Sequence, residues 1–461
     1  MWGHVGTRNP SRRSPVARRG TTSIQLLVIL VPVVFAFMGF AVDLGRLYLI
    51  RGELNQAATA MALSAATRLI GTQDALDRAN TAANYPLDDS TGHGSRYNFG
   101  AALIGQTTGL LSSEVSTPSY FTTLAGATGD PTALNDQADG TTARYVQVNI
   151  QADAPLLFWS LLSAGQSRTT PIAARAVAGL SSPVCTACGI EPFAVAALST
   201  GDTTDFGFTA ATRYTFAYQC QATPPNVPAA SALASGQQVI SYLLIDPTAL
   251  ATGGTYVDTG GLDETQALYR IGAQGLLPST VQAQSCIRVG DPEVIWGANG
   301  GLMAAGNSCN LRPPTPAQYM LCGLYTRFAS DLPTACQGGI VDADLLVAAY
   351  QPDTDLNDLD DYTAYTGNTR RVITVPIVDA LSNSASTPMN VLGYRQFLVE
   401  PNPGDVATNP ADQNGRFVAL YLGTNPADQL TTPVPLKQGR IDGCQNGYTV
   451  AAGPGKVVLH Q

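Results

Sequence analysis

The sequence predicts an α+β fold from three features: a long uncharged span near the N-terminus, a helical stripe of small apolar residues after it, and short alternating strands beyond Arg144. Residues 20–42 form a run of twenty-three residues without a charge. As a helix, about 22 residues rise roughly 33 Å, enough to cross a hydrocarbon core of about 30 Å. Arg8, Arg12, Arg13, Arg18 and Arg19 precede this span with no acid among them, and Asp43 follows it at once. Under the positive-inside rule the N-terminus is cytoplasmic and everything after Asp43 lies across the membrane. A cleaved secretory signal is the alternative reading, but its apolar core usually runs only about 7–15 residues. A twin-arginine signal fits poorly, because Arg12-Arg13 leads into Ser14-Pro15 and not into an apolar pair.

The charge balance agrees with this topology. The chain has 25 basic and 34 acidic residues, and five of the basic ones precede the span. The exported part is therefore acidic, which argues against nucleic acid as a partner, since phosphates require a basic footprint. Charged residues make up only 13% of the chain, beside 45 glycines and 30 prolines. That composition describes a loop-rich but folded exported protein, and 461 residues suffice for two modest cores beyond the anchor.

Beyond Asp43 a helical pattern continues without proline to about Ala83, and Pro86 ends it. Leu47, Ile50, Leu54, Ala58, Met61, Ala65 and Leu69 recur at spacings of three and four, giving one apolar stripe. Leu54, Ala58, Met61 and Ala65 are its packing positions, and the small side chains allow a helix or sheet to approach closely. Two partners are open for the stripe: the protein's own β-domain, or sister subunits around a stalk.

Arg18-Arg19-Gly20, the apolar span, Ala41-Val42-Asp43-Leu44-Gly45-Arg46-Leu47-Tyr48 and Glu53-Leu54-Asn55-Gln56-Ala57-Ala58 together resemble the TadG-like N-terminal domain of the bacterial tight-adherence (Flp pilus) assembly machinery. Arg144–Ile150, Pro155–Phe158 and Pro171–Leu180 are similar to the β-part that follows the helix in that family, so the resemblance covers roughly residues 18–180. It implies a single-pass inner-membrane protein whose partners are other pilus-assembly or pilin-like membrane proteins. Pilins of this kind are cut after a glycine that has a glutamate five residues on. Gly20 matches the glycine, but Gln25 stands in place of the acid. An amide there cannot pair with a neighbouring subunit's new amino terminus, which favours an uncleaved assembly component over a shaft subunit. Arg18, Arg19, Gly20, Gln25 and Asp43 are thus the residues expected to set the anchor and its orientation.

Five segments follow: a cytoplasmic tail (1–20), a transmembrane helix (21–42), an extended periplasmic helix (43–84), a pilin-like β-part with a loop insertion (85–182), and a cysteine-containing C-terminal domain (183–461). The helix is expected to pack on an antiparallel β-domain, and the C-terminal domain to be mixed, β-rich and disulfide-stapled. Residues 85–140 are glycine-rich and polar and read as an exposed insertion. Tyr145–Ile150 alternates like a half-buried strand, and Thr169–Leu180 gives a second. Further strands are expected at Tyr214–Cys220, Arg371–Val378, Gln396–Val399 and Arg416–Leu422, with helices at Gly236–Leu244 and Pro316–Phe328. The hexapeptide Thr-Asn-Pro-Ala-Asp-Gln occurs at 408–413 and again at 424–429, and reads as a repeated turn or, alternatively, a binding loop.

All eight cysteines lie beyond the anchor: Cys185, Cys188, Cys220, Cys286, Cys309, Cys322, Cys336 and Cys444. An even set in an oxidising compartment reads as disulfides, and eight cysteines allow 105 pairings, so connectivity stays open. Cys185-Thr186-Ala187-Cys188 also fits metal binding or thiol exchange. However, the chain's only histidines are His4, His93 and His460, and Pro183, Gly189 and Pro192 describe a loop. The acidic run Asp353–Asp361 begins like a calcium loop, yet Asp358 stands at its sixth position and Ala364 at its twelfth, so a solvated loop is the simpler reading beside a weak Ca²⁺ site. No nucleophile elbow, phosphate loop, zinc helix or dinucleotide fingerprint occurs. The expectation is a structural protein without catalytic residues, metal or cofactor. An adhesive or ligand-binding module on a membrane anchor is the alternative function.

Overall fold

The computed structural model describes residues 19–86, 113–115, 117–129, 138–156, 158, 169–181, 184, 186–188, 191, 193–218, 238–244, 286–288, 321, 324–325, 327, 353–355, 362–381, 389–400, 415–423, 439–440 and 454–460, with Gly3 and Gly6. These residues form one long N-terminal apolar helix and a β-rich remainder, an α+β arrangement. They belong to two bodies: Met1–Gln56 with Tyr97–Val115 and Ile150–Ala174, and Ala57–Arg96 with Ser116–Asn149 and Arg175–Gln461.

The helix α1 runs from Arg19 to Ala66 and includes Pro32. In the first body it presents Gly39, Asp43, Ile50 and Leu54 as buried positions, spaced by about one or two helical turns. The same body holds strand β1 (Ser113–Val115), which pairs antiparallel with residues 150–152 of β3 (Tyr145–Pro155) and sets Val115 opposite Ile150.

In the second body Ala57, Ala58, Met61, Ala62, Ala65 and Ala66 of α1 are all fully buried. The chain then turns back. The single helix expected over 43–84 is in fact two, because α1 stops at Ala66 and α2 covers Ala75–Asn84. Gly71 supplies the left-handed φ of +79° that the turn requires. Thr72 donates to Asp74 (2.7 Å), which sits at the N-cap of α2, and Ser64 of α1 donates to the Ala82 carbonyl at 2.6 Å. Tyr120 in β2 (Ser119–Phe121) donates to Asn80, tying the sheet to α2. β2 lies antiparallel on residues 145–147 of β3. The short helix α3 (Leu124–Thr128) ends on the Ala127 carbonyl, which accepts from Gln147 and from Arg175, both at 2.7 Å. A cation at a helix C-terminus is the favourable choice. Arg175 belongs to β4 (Thr169–Leu180), whose end pairs antiparallel with β14 (Val457–His460).

The second body is organised around a closed six-stranded barrel. In chain order its strands are β6 (Phe193–Ala196), β7 (Arg213–Tyr218), β8 (Gln238–Leu244), β10 (Val372–Val378), β11 (Val391–Val399) and β12 (Phe417–Tyr421), arranged as β10-β11-β12-β7-β8-β6. The pairs β7–β8 and β6–β10 are parallel and the others antiparallel. Alternate residues of all six strands converge in one cluster that includes Phe193, Phe216, Tyr242, Val375, Phe397 and Phe417. The period-two spacing identifies this cluster as the barrel interior, and aromatic rings fill it: Phe216 stacks on Phe417 at 4.5 Å and meets Phe397 edge-on at 5.2 Å. Val372, Leu398 and Leu420, on the other face, pack with Ile70, Ala75 and Tyr365. Pro376 is tolerated in β10 because β6 pairs only with Ile377 and Val378, and a bulge follows directly.

The segment Gly236–Leu244, read above as a helix, contains strand β8. Val239, Ile240 and Tyr242 are β-branched or aromatic, and packing against β6 and β7 decides the conformation. A separate small sheet runs β13-β5-β9, with β5 at Thr186–Cys188, β9 at Cys286–Arg288 and β13 at Gly439–Arg440. The hexapeptide repeats, His93 and most of the 85–140 insertion and of Pro316–Phe328 lie outside the described residues.

Candidate functional site

Among the described residues only α1 is long and apolar enough to cross a membrane. Its apolar side chains are laid bare: Ile24, Leu26, Leu27, Val28, Ile29, Phe35, Phe37, Met38 and Phe40 are each more than half exposed. A helix apolar on all sides and covered by no protein core suits lipid. Gln25 lies on this exposed surface.

The bare stretch ends at a built joint. Gly39 and Asp43 sit one helical turn apart on the same face, both buried, and Asp43 is only 4% exposed. The backbone N–H of Phe158 donates to Asp43 Oδ2 at 3.0 Å. A Cβ added to Gly39 would lie 2.7 Å from the Phe158 Cβ and 2.9 Å from its Cγ, so the glycine exists to admit that ring. The pair therefore fastens Phe158 to the helix just where the apolar span ends. A carboxylate at such a place is expensive unless hydrogen-bonded. We expect Gly39→Val to displace Phe158 and release its amide from Asp43, costing about 1–3 kcal/mol by overpacking. Limited proteolysis of the full chain in detergent should then cut faster between residues 156 and 169.

The second body contains a charged cluster that no local motif announces. Glu191 and Arg327 form an ion pair with both side chains 1% exposed, and the Arg327 guanidinium also donates to the Arg370 carbonyl. Burial pushes the Glu191 carboxyl up, against the Arg327 charge that pulls it down. Arg371 is buried, donates to the carbonyls of Val399 (2.9 Å) and Asp355 (2.8 Å), and lies 3.6 Å from the Glu400 carboxylate. Asp353 is the hub. Its oxygens accept from the amides of Asp355 (3.0 Å), Asn368 (3.2 Å) and Arg371 (2.8 Å) and from the Tyr365 hydroxyl. Burial, with the Asp353 charge beside it, pushes the Tyr365 phenol well above its ordinary value. The start of the acidic run is thus no solvated loop: Asp353 is 2% exposed and Asp355 accepts from the Thr366 amide. These groups are turned inward onto backbone donors and arginines, and clamp residues 353–355 and 365–371 to the barrel.

Nearby, Arg395 is fully buried, with the Phe206 ring 4.3 Å from its guanidinium and the Thr204 carbonyl accepting from it. Asp202 receives the amides of Thr204, Asp205 and Gly207 at 2.9–3.1 Å. Burial pushes the Asp202 carboxyl up, but these amides and the Arg395 charge outweigh it and hold the group below its ordinary value. Phe206 takes a left-handed φ of +54° within this loop. Among the described residues no group of three or more His, Cys, Asp or Glu side chains is placed to hold a metal ion.

Of the residues singled out in the sequence, Arg19 and Gly20 begin α1, Gln25 is exposed, and Asp43 is in the joint. Leu54, Ala58, Met61 and Ala65 are fully buried within the chain itself. Cys188 and Cys286 fall in β5 and β9, while Arg18, Cys185, Cys220, Cys309, Cys322, Cys336 and Cys444 lie outside the described residues. Gly39 and Phe158 were not among the expected site residues; a small residue one turn before an acid at the end of an apolar span is the signal that marks Gly39, whereas nothing local marks Phe158. No family model, curated protein or solved structure matches the chain.

Proposed function

We propose that this protein is a membrane-anchored, periplasm-facing component of Tad/Flp pilus assembly that acts through protein–protein contacts and not through catalysis. The observation that carries the reading is the continuity of α1: one helix passes from Arg19 through a bare apolar stretch into Asp43 and on to Ala66, behind five arginines. The resemblance of residues 18–180 to the TadG-like domain supports the same assignment. Gln25 favours an anchor that stays uncleaved. Leu44, Tyr48 and Leu49 remain exposed past the span and offer an apolar face to neighbouring pilus-assembly or pilin-like membrane proteins. The C-terminal domain stands in the periplasm, with its cysteines joined as disulfides.

Topology is the direct test. An alkaline phosphatase fusion after Ala83 should be active and membrane-bound, whereas a cytoplasmic fluorescent reporter at the same position should be dark. Deleting the gene in its own bacterium should abolish Flp pili and surface attachment, and the full chain should restore both. Activity of the cytoplasmic reporter, or normal piliation of the deletion strain, would overturn the assignment. Labelling of the C-terminal domain by protease on intact cells would instead favour the adhesive reading.

A further inference from the structure

We infer that Cys188 and Cys286 form a disulfide that ties β5 to β9. The two strands are antiparallel, and their register sets Thr186 opposite Arg288, Ala187 opposite Ile287 and Cys188 opposite Cys286. Directly opposed residues in an antiparallel pair have Cα atoms about 4.5 or 5.5 Å apart, depending on whether the pair is hydrogen-bonded. Both values fall inside the roughly 4.4–6.8 Å window in which a disulfide closes without moving the backbone. Two cysteines ninety-eight positions apart thus meet at one register position of a three-stranded sheet.

The rival bond, Cys185 to Cys188, conflicts with the strand. β5 is held extended by β9 on one side and by β13 on the other, where Ala187 opposes Gly439. Extended residues rise about 3.3 Å each, whereas a ring closed over so few residues must bring Cα atoms within about 7 Å. The short ring would therefore pull the chain out of the conformation that both neighbours stabilise.

Formation needs an oxidant, and the periplasmic reading proposed above, on which this inference rests, supplies a thiol–disulfide oxidoreductase. The Cys188 thiolate attacks the oxidant's disulfide, forming a mixed disulfide and releasing one oxidant thiolate. The Cys286 thiolate then attacks the Cys188 sulfur, the protein disulfide forms, and the second oxidant thiolate leaves. Two electrons pass to the oxidant, and the two protons lost by the cysteines are taken up, through solvent, by its two thiolates, so that it departs as a dithiol.

The test uses the full chain from its own bacterium, alkylated before extraction and digested with trypsin without reduction. Peptides 176–213 and 271–288 should appear as one linked species that separates on reduction, and fragment ions should place the bond at Cys188. Cys185→Ala should keep the link, whereas Cys188→Ala should abolish it and leave Cys286 alkylated. A bond placed at Cys185, a link that survives Cys188→Ala, or Cys286 joined to any other peptide would overturn the pairing. If Cys286 is instead free in the native chain, the purified reduced chain is reoxidised with glutathione disulfide. A 176–213 to 271–288 link formed there upholds the pairing and counts against the periplasmic reading; no link overturns the pairing itself.

Discussion

Glu191→Ala should lower the stability of the barrel-containing body by about 3–5 kcal/mol, because it leaves the Arg327 guanidinium charged, buried and without its counter-ion. Such a loss is a large part of the roughly 5–15 kcal/mol that holds a folded domain together. Glu191 also sits at the entry to β6, where its amide donates to the Thr374 carbonyl at 3.0 Å, so the pair lies on the seam between β6 and β10. Urea unfolding of the full chain in detergent, followed by tyrosine and tryptophan fluorescence, should show an earlier midpoint with an unchanged slope. Replacing both partners by apolar residues, Glu191→Leu with Arg327→Met, should recover most of the loss, since desolvating two charges offsets much of their attraction. A change below about 1 kcal/mol in the single variant would show that Arg327 is not buried as described.

Asp353→Ala should be comparably damaging. It strips the acceptor from three backbone amides and from the Tyr365 hydroxyl at once. A buried donor left without an acceptor costs about 1–3 kcal/mol, so even with partial relaxation the total should exceed about 4 kcal/mol. Gly367 packs so closely on Asp353 and Tyr365 that no larger residue fits there, which leaves little slack for the loop to adapt. Amide hydrogen exchange should register the change first at Asp355, Asn368 and Arg371, and only then across β10. Asp353→Asn, which keeps an acceptor oxygen but donates where it formerly accepted, should fall between wild type and alanine. Unchanged exchange at those three amides would refute the hub.

Much of the secondary structure could be read in advance because it depends on local pattern. The uncharged span, the strand Thr169–Leu180 and the strands β7, β10 and β12 follow from hydrophobic periodicity within ten or so residues. The break between α1 and α2 was hidden by alanines that continue the helical pattern on both sides of Gly71. β8 was misread because its short apolar run fits either period, and only its barrel neighbours choose between them. The charged cluster was invisible for a different reason. Glu191 and Arg327 lie 136 positions apart, and an acidic run such as Asp353–Asp361 is ordinarily a solvated surface. The burial of Asp353 and Asp355 depends on Arg371 and on backbone amides from residues 366–371, beside the barrel. The joint at Gly39 and Asp43 was half legible: the acid was evident, but the ring it serves arrives from residue 158.

The order of strands around the barrel also sets a timetable. β6 leaves the ribosome early, yet its parallel neighbour β10 begins 176 residues after β6 ends. At translation rates of about 5–20 residues per second, the edge of β6 waits roughly 10–35 s for its partner. Throughout that interval the nascent domain has an open, apolar sheet edge at Phe193–Ala196, which invites pairing with other chains. In the topology proposed above, the chain would spend this time tethered by α1 at the translocation site, where it is less able to diffuse into other unfinished copies. The anchor thereby doubles as a folding aid: it localises a slow-closing β-structure while its last strands are still being made.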